Sequence, residues 1–373
     1  MNFDSLSRYL DALPSKGVPG CAMIVYRDHE PIYRHMAGEG RPGRPIRGDE
    51  TSWLYSATKV FTMTAAMQLI ERGAMQLTDP VSKYLPAYGE LTVRDGDGVR
   101  PARTVMTLEH LMSMQGGLDY DLESPAIRAC LEKYGERATT RQIVDSFARQ
   151  PLNFDPGTRF RYSLCHDVMA AVIEVASGKG FAEFIRENIF EPLGMKDMTF
   201  HPTEEQIGRL AARYQWDAQE QLHPIEYLNN PYVLSPRYES GGAGLLGNLD
   251  SYVLLPDALA NGGVGRTGAR ILSPRFIEEF RRDRQKGACR ADFDLCGKLG
   301  YSYALGVRTL VDASASRSPI GEFGWDGAAG AWTMIDPEHH LSAFYVQHVL
   351  SCDRAFREFH PAIRDLIYDC LDL

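Results

Sequence analysis

The feature that most constrains this chain is the placement of its strand patterns at the two ends, with helical patterns filling the middle. Near the start, Cys21-Ala22-Met23-Ile24-Val25-Tyr26, the polar turn Arg27-Asp28-His29-Glu30 and Pro31-Ile32-Tyr33-Arg34-His35-Met36 predict an antiparallel hairpin. Near the end, Ala331-Trp332-Thr333-Met334-Ile335, the turn Asp336-Pro337-Glu338-His339-His340 and Leu341-Ser342-Ala343-Phe344-Tyr345-Val346 predict a second. Phe3, Leu6, Tyr9, Leu10 and Leu13 recur at helical spacing, stopped by Pro14, Gly17 and Gly20; Phe356, Phe359, Ile363, Ile367 and Cys370 or Leu371 line one face of a last helix. From about Ser56 to Phe280 the pattern is mainly helical, broken by Pro/Gly loops. The expectation is an α+β fold whose antiparallel sheet is built from both termini and flanked by helices. Residues 1–55 and 236–373 then form a discontinuous sheet domain, residues 56–235 a mainly helical one, and the site lies in the cleft between them.

A chain of 373 residues has ample core for this arrangement. Its formal charge of −9 comes from scattered acidic residues, and the basic run Arg281-Arg282-Asp283-Arg284-Gln285-Lys286 reads as a solvated helix end, so no nucleic-acid partner is expected. The start, Met1-Asn2-Phe3-Asp4-Ser5-Leu6, lacks a signal-peptide pattern and no stretch matches a membrane span, which gives the expectation of a cytoplasmic protein without membrane contact. Seven cysteines at irregular spacings read as reduced thiols. Cys289 and Cys296 have no neighbouring ligand residues, so no metal and no organic cofactor is expected. The oligomeric state has no signature in the sequence.

The chemistry concentrates at Tyr55-Ser56-Ala57-Thr58-Lys59. On a helix, positions three apart share a face, so Ser56 and Lys59 present hydroxyl and amine side by side. The helix they head carries Val60, Phe61, Met63, Ala65, Ala66, Met67, Leu69 and Ile70, a pattern buried all round. A lysine buried there must find partners or give up its proton, and an amine that shares a proton with a serine hydroxyl is what a serine nucleophile needs. The helix N-terminus adds positive potential for the oxyanion that follows.

Further segments carry a resemblance. Leu77-Thr78-Asp79-Pro80-Val81-Ser82-Lys83-Tyr84-Leu85-Pro86, Thr107-Leu108-Glu109-His110-Leu111-Met112-Ser113-Met114-Gln115-Gly116-Gly117-Leu118, Asn188-Ile189-Phe190-Glu191-Pro192-Leu193-Gly194-Met195 and Gly241-Gly242-Ala243-Gly244-Leu245 join the Ser56/Lys59 tetrad. Together they resemble the serine β-lactamase and penicillin-binding protein superfamily, whose nucleophile motif is S-x-x-K. Within it the likeness is to class C β-lactamase-like enzymes and the carboxylesterases related to them. The resemblance implies a β-lactamase/transpeptidase-like fold and three catalytic residues, Ser56, Lys59 and Tyr162. Tyr162, in Arg161-Tyr162-Ser163-Leu164, falls where the family has Y-x-N. Leu164 replaces the asparagine and cannot hydrogen-bond a substrate amide. Gly324-Trp325-Asp326-Gly327-Ala328 takes the place of the K-T-G strand: Trp325 stands for the cation, Gly327 allows close approach, and the amide of Ala328 joins that of Ser56 as an oxyanion hole.

Other candidates are weaker. His166 and Asp167 could complete a Ser-His-Asp set, but adjacent side chains diverge, and Asp167 reads better as a helix-start carboxylate. His110 reads as a structural histidine. Gln115, Tyr120 and Tyr227 are candidates for lining the pocket, Gln115 foremost. Gly300-Tyr301-Ser302-Tyr303-Ala304 misses G-x-S-x-G by one residue, which disfavours an α/β-hydrolase elbow. The leading expectation is a serine hydrolase that cleaves small carboxylic esters through an acyl-enzyme on Ser56. The alternatives are a β-lactamase or penicillin-binding D-peptidase with the same nucleophile, an acyl-transferring variant, and a non-catalytic relative that binds a ligand or self-assembles.

Overall fold

The computed structural model describes residues 1–373. Its main sheet has eight antiparallel strands: β1 (Gly20–Arg27), β2 (Glu30–Arg41), β3 (Arg44–Pro45), β4 (Tyr301–Tyr303), β5 (Arg308–Leu310), β6 (Phe323–Gly324), β7 (Trp332–Asp336) and β8 (Leu341–Gln347). Their order across the sheet is β4-β5-β6-β7-β8-β1-β2-β3. The two hairpins expected at the ends are β1/β2, with a bulge between Val25 and Tyr26, and β7/β8. They meet where β1 pairs with β8, from Cys21 opposite Gln347 to Arg27 opposite Leu341.

The central strands β1, β7 and β8 are buried at nearly every position because both faces of the sheet are covered there. Met23, Val25, Ala343 and Tyr345 face outward into a core made with Leu6 and Leu10 of α1 (Asp4–Asp11) and Ile363 and Ile367 of the last helix, α4 (His360–Leu371). Ala22, Ile24, Phe344 and Val346 point the other way, into a larger core shared with the helices of the middle of the chain. At its centre lies α2 (Thr58–Glu71), buried from Thr58 to Leu69 as its apolar circumference requires, beside α3 (Cys165–Ser177). One continuous core thus joins the sheet to the helical region.

The middle is less uniformly helical than its pattern implies. Hairpins occur at Thr92–Asp95 with Gly98–Pro101 and at Arg213–Trp216 with Leu222–Ile225, the latter extended in parallel by Val349–Leu350. The Asp95-Gly96-Asp97-Gly98 turn signals the first of these. In the basic run, Arg281 pairs with Glu278, Arg282 with Glu279, and Arg284 with Glu109 and Glu279. No helix is long and apolar enough to cross a membrane, and all seven cysteines are free thiols.

Candidate active site

Ser56 sits on a sharp turn. The two-residue strand Ser52–Trp53, paired with Leu246–Gly247, runs into a 3₁₀ turn, Tyr55–Ala57, and then into α2. Tyr55 takes a left-handed backbone conformation, φ +47°, which costs a non-glycine residue about 1–2 kcal/mol. Packing holds it there: the ring is buried, edge-on to Tyr232 at 5.7 Å, and the phenol accepts a hydrogen bond from Arg213 Nη1 at 3.2 Å. The turn leaves Ser56 half-buried in the wall of a cleft.

Lys59 lies behind it, fully buried. Its Nζ is 3.1 Å from Ser56 Oγ and donates to the Gly242 carbonyl at 2.7 Å. The rings of Tyr162 and Tyr120 flank the amine, with centroids at 4.7 and 5.6 Å. Burial pushes the Lys59 ammonium down to about 7, with Asp167 the foremost influence pulling the other way. An amine at that value is neutral in about half the molecules at neutral pH, and its lone pair is then free to accept the Ser56 proton.

Tyr162 precedes α3 and reaches the same cleft. The indole N–H of Trp325 donates to its phenolic oxygen at 3.0 Å, and the two rings stack 5.6 Å apart at 26°. Tyr120 stacks on Tyr162 at 5.8 Å. Burial holds the Tyr162 phenol well above its ordinary range, with Ser56 and Trp325 opposing the shift, so it stays a proton donor near neutrality.

Ser56, Tyr120, Tyr162, Tyr232, Trp325, Gly327 and Ala328 line this cleft of about 460 Å³ together with Cys296, Lys298, Asp326, Asp353, Phe356 and Arg357. The turn after Trp325 packs directly on the backbone before Ser56: a Cβ on Gly327 would lie 2.3 Å from the Leu54 carbonyl oxygen. Ala328, the next residue, lines the same cleft as Ser56.

Several sequence candidates lie elsewhere. Leu164 packs into the core and lines a separate small cavity with Leu118, Ile127 and Phe147, as an apolar side chain at the start of α3 should. Gln115 is buried and spends its amide N–H groups on the Arg284 carbonyl and Gln285 Oε1, at 3.1 and 3.3 Å. Tyr227 is an exposed ring beneath the Arg213 guanidinium. His166 bonds the Met112 carbonyl at 3.2 Å, whereas Ser56 is bonded to Lys59, so no Ser-His-Asp set forms. His110 closes a capping box with Thr107. Asp167 does lie in the first turn of α3, but its bonds go to Tyr238 and Ser240.

The view of Trp325 as a simple replacement for a cation needs correction. Lys298, from a loop distant in sequence, brings an ammonium 5.1 Å from the Trp325 ring centroid and pairs with Asp326. Burial alone would raise the Asp326 carboxyl, but Lys298 and Arg308 hold it down at about 2. Sequence reasoning missed Lys298, Tyr232 and the cleft-facing side of Phe356. The first two stand in loops without periodicity, and Phe356 was explained by the apolar face of the last helix.

A family model described as Beta-lactamase matches residues 6–360. Esterase EstB of Burkholderia gladioli is 28% identical over 402 residues, covering 98% of this chain and 95% of its own. The D-alanyl-D-alanine-carboxypeptidase/endopeptidase AmpH of Escherichia coli (strain K12) is 30% identical over 211 residues, 56% of this chain and 52% of its own. Among solved structures, EstCE1, described as a hydrolase with promiscuous acyltransferase activity, superposes with a TM-score of 0.80 at 24% identity, covering 98% of both chains.

Proposed function

The chain belongs to the beta-lactamase family, and on that premise we propose that it is a serine hydrolase cleaving small carboxylic esters through an acyl-enzyme on Ser56. The observation that carries this reading is the buried Lys59 amine, 3.1 Å from Ser56 Oγ and brought to about 7 by its surroundings. Neutral Lys59 takes the hydroxyl proton as Oγ adds to the ester carbonyl carbon. The amides of Ser56 and Ala328 receive the oxyanion, aided by the start of α2. Tyr162 gives its phenolic proton to the departing alkoxide and recovers one from the Lys59 ammonium. Water then adds to the acyl-enzyme by the reverse proton path, releasing the acid and restoring Ser56.

Esters are favoured over lactams by the walls. Tyr120, Tyr162, Tyr232, Trp325 and Phe356 offer aromatic surface to an acyl or alcohol group, and Asp326 neutralises Lys298. A second reading, turnover of lactams or D-peptides, draws support from Arg357, exposed at the rim, where it can meet a substrate carboxylate.

Hydrolysis of p-nitrophenyl butyrate by the protein and by Ser56→Ala separates these possibilities. The variant should lose at least about 10³-fold in rate and take up no fluorophosphonate by intact mass, whereas the parent gains one adduct. Equal rates would overturn the mechanism, an unlabelled parent would point to a non-catalytic relative, and nitrocefin turnover matching ester turnover would favour the lactam reading. Because Lys59 must be neutral to act, kcat/KM should fall as pH drops below about 7.

A further inference from the structure

We propose that Asp167 is a positioning residue for the Ser56/Lys59 pair: its carboxylate anchors residues 238–242 between α2 and α3, which delivers the Gly242 carbonyl to the Lys59 amine, and it supplies the counter-charge to that amine. The inference rests on the serine-hydrolase reading and adds a residue to it.

Asp167 Oδ1 accepts from Ser240 Oγ at 2.6 Å, Tyr238 Oη at 2.8 Å and the Gly242 amide at 3.4 Å. A carboxylate serving only its own helix would bond the first-turn amides of α3; these partners all belong to another segment. On its far side that segment grips α2, with Gly242 O accepting from Lys59 Nζ and Gly241 O from Thr62 Oγ1, each at 2.7 Å. The fit admits no side chain, since a Cβ on Gly242 would lie 2.5 Å from Asp167 Oδ2. Oδ2 itself is buried without a hydrogen-bond partner, an arrangement that costs stability unless charge nearby compensates it.

The other titratable groups around Lys59 stay uncharged near neutrality. Burial pushes the Cys165 thiol up to about 11, keeps the His166 imidazole far below its usual range, and holds the phenols of Tyr162 and Tyr120 well above theirs. Asp167 is therefore the charge that works against desolvation at Lys59, and without it the amine should lose its proton at still lower pH.

The test is kcat/KM against pH for p-nitrophenyl butyrate. Asp167→Asn keeps the shape and removes the charge, so the acid limb should move down by about one pH unit or more. Ser240→Ala keeps the charge and weakens the anchor, so the plateau should drop severalfold with the limb in place. An unmoved limb in Asp167→Asn overturns the counter-charge, and a parental profile in Ser240→Ala overturns the anchoring. Failure of the underlying reading would look different, because Ser56→Ala would then retain activity.

Discussion

Trp325 has a second duty besides walling the cleft. With its indole N–H committed to Tyr162 Oη at 3.0 Å, the phenol must direct its own proton elsewhere, and the Ser56 side of the cleft is where the proposed chemistry needs it. Trp325→Phe removes that donor and keeps a ring to stack. The expected result is a fall in kcat of about 2- to 13-fold, the worth of one hydrogen bond of about 0.5–1.5 kcal/mol, with KM for a small ester little changed. Unchanged kcat would mean that the indole does not orient the phenol. At this scale the sequence was legible where a residue's chemistry was out of place: a lysine in an apolar helix invites explanation by itself. It was not legible where a role depends on a partner brought in from afar. Nothing in Tyr-Ser-Leu says that Leu164 turns to the core, and nothing in the loop around residue 298 says that Lys298 enters the cleft beside Trp325.

Among the elements, two short turns set the relation between Ser56 and the strand that faces it. The first is the strained Tyr55 turn. The second follows β6, where Gly327 touches the Leu54 carbonyl. Gly327→Ala must push the second turn away from the first. Overpacking of this kind costs about 1–3 kcal/mol, which a domain of this size survives, but Ala328 would move with the turn, away from the position the proposed oxyanion hole requires. The expectation is a folded protein, with a melting temperature lowered by several degrees and esterase kcat reduced more than tenfold. Retention of full activity would remove Ala328 from the proposed oxyanion hole. Regular elements with strong periods, such as the two terminal hairpins and α2, were readable from the sequence. The Val349–Leu350 strand was not, being too short for alternation to outweigh its surroundings, and the Thr92–Asp95 hairpin left only its Asp-Gly turn as a signal.

For the whole molecule, the sheet depends on α4. Ile363, Ile367 and Leu371 cover the outer face of the sheet, and each such burial contributes about 1.5–3 kcal/mol against a total stability of about 5–15 kcal/mol. Deletion of residues 360–373 should therefore give a product that is insoluble or binds hydrophobic dyes, with no cooperative melt. A sharp transition in the truncated protein would show that the sheet stands without its outer cover. The pairing of β1 with β8 carries one more consequence, which concerns synthesis. At ribosomal rates of about 5–20 residues per second, β1 waits roughly 15–60 s for its partner to be made. Through that interval β1 has an unpaired edge and apolar side chains on both faces, a ready target for holding chaperones or for the same strand of a neighbouring nascent chain. The sheet cannot close before β8 has been made, so the conditions met during that wait bear on how much of this protein reaches its native state.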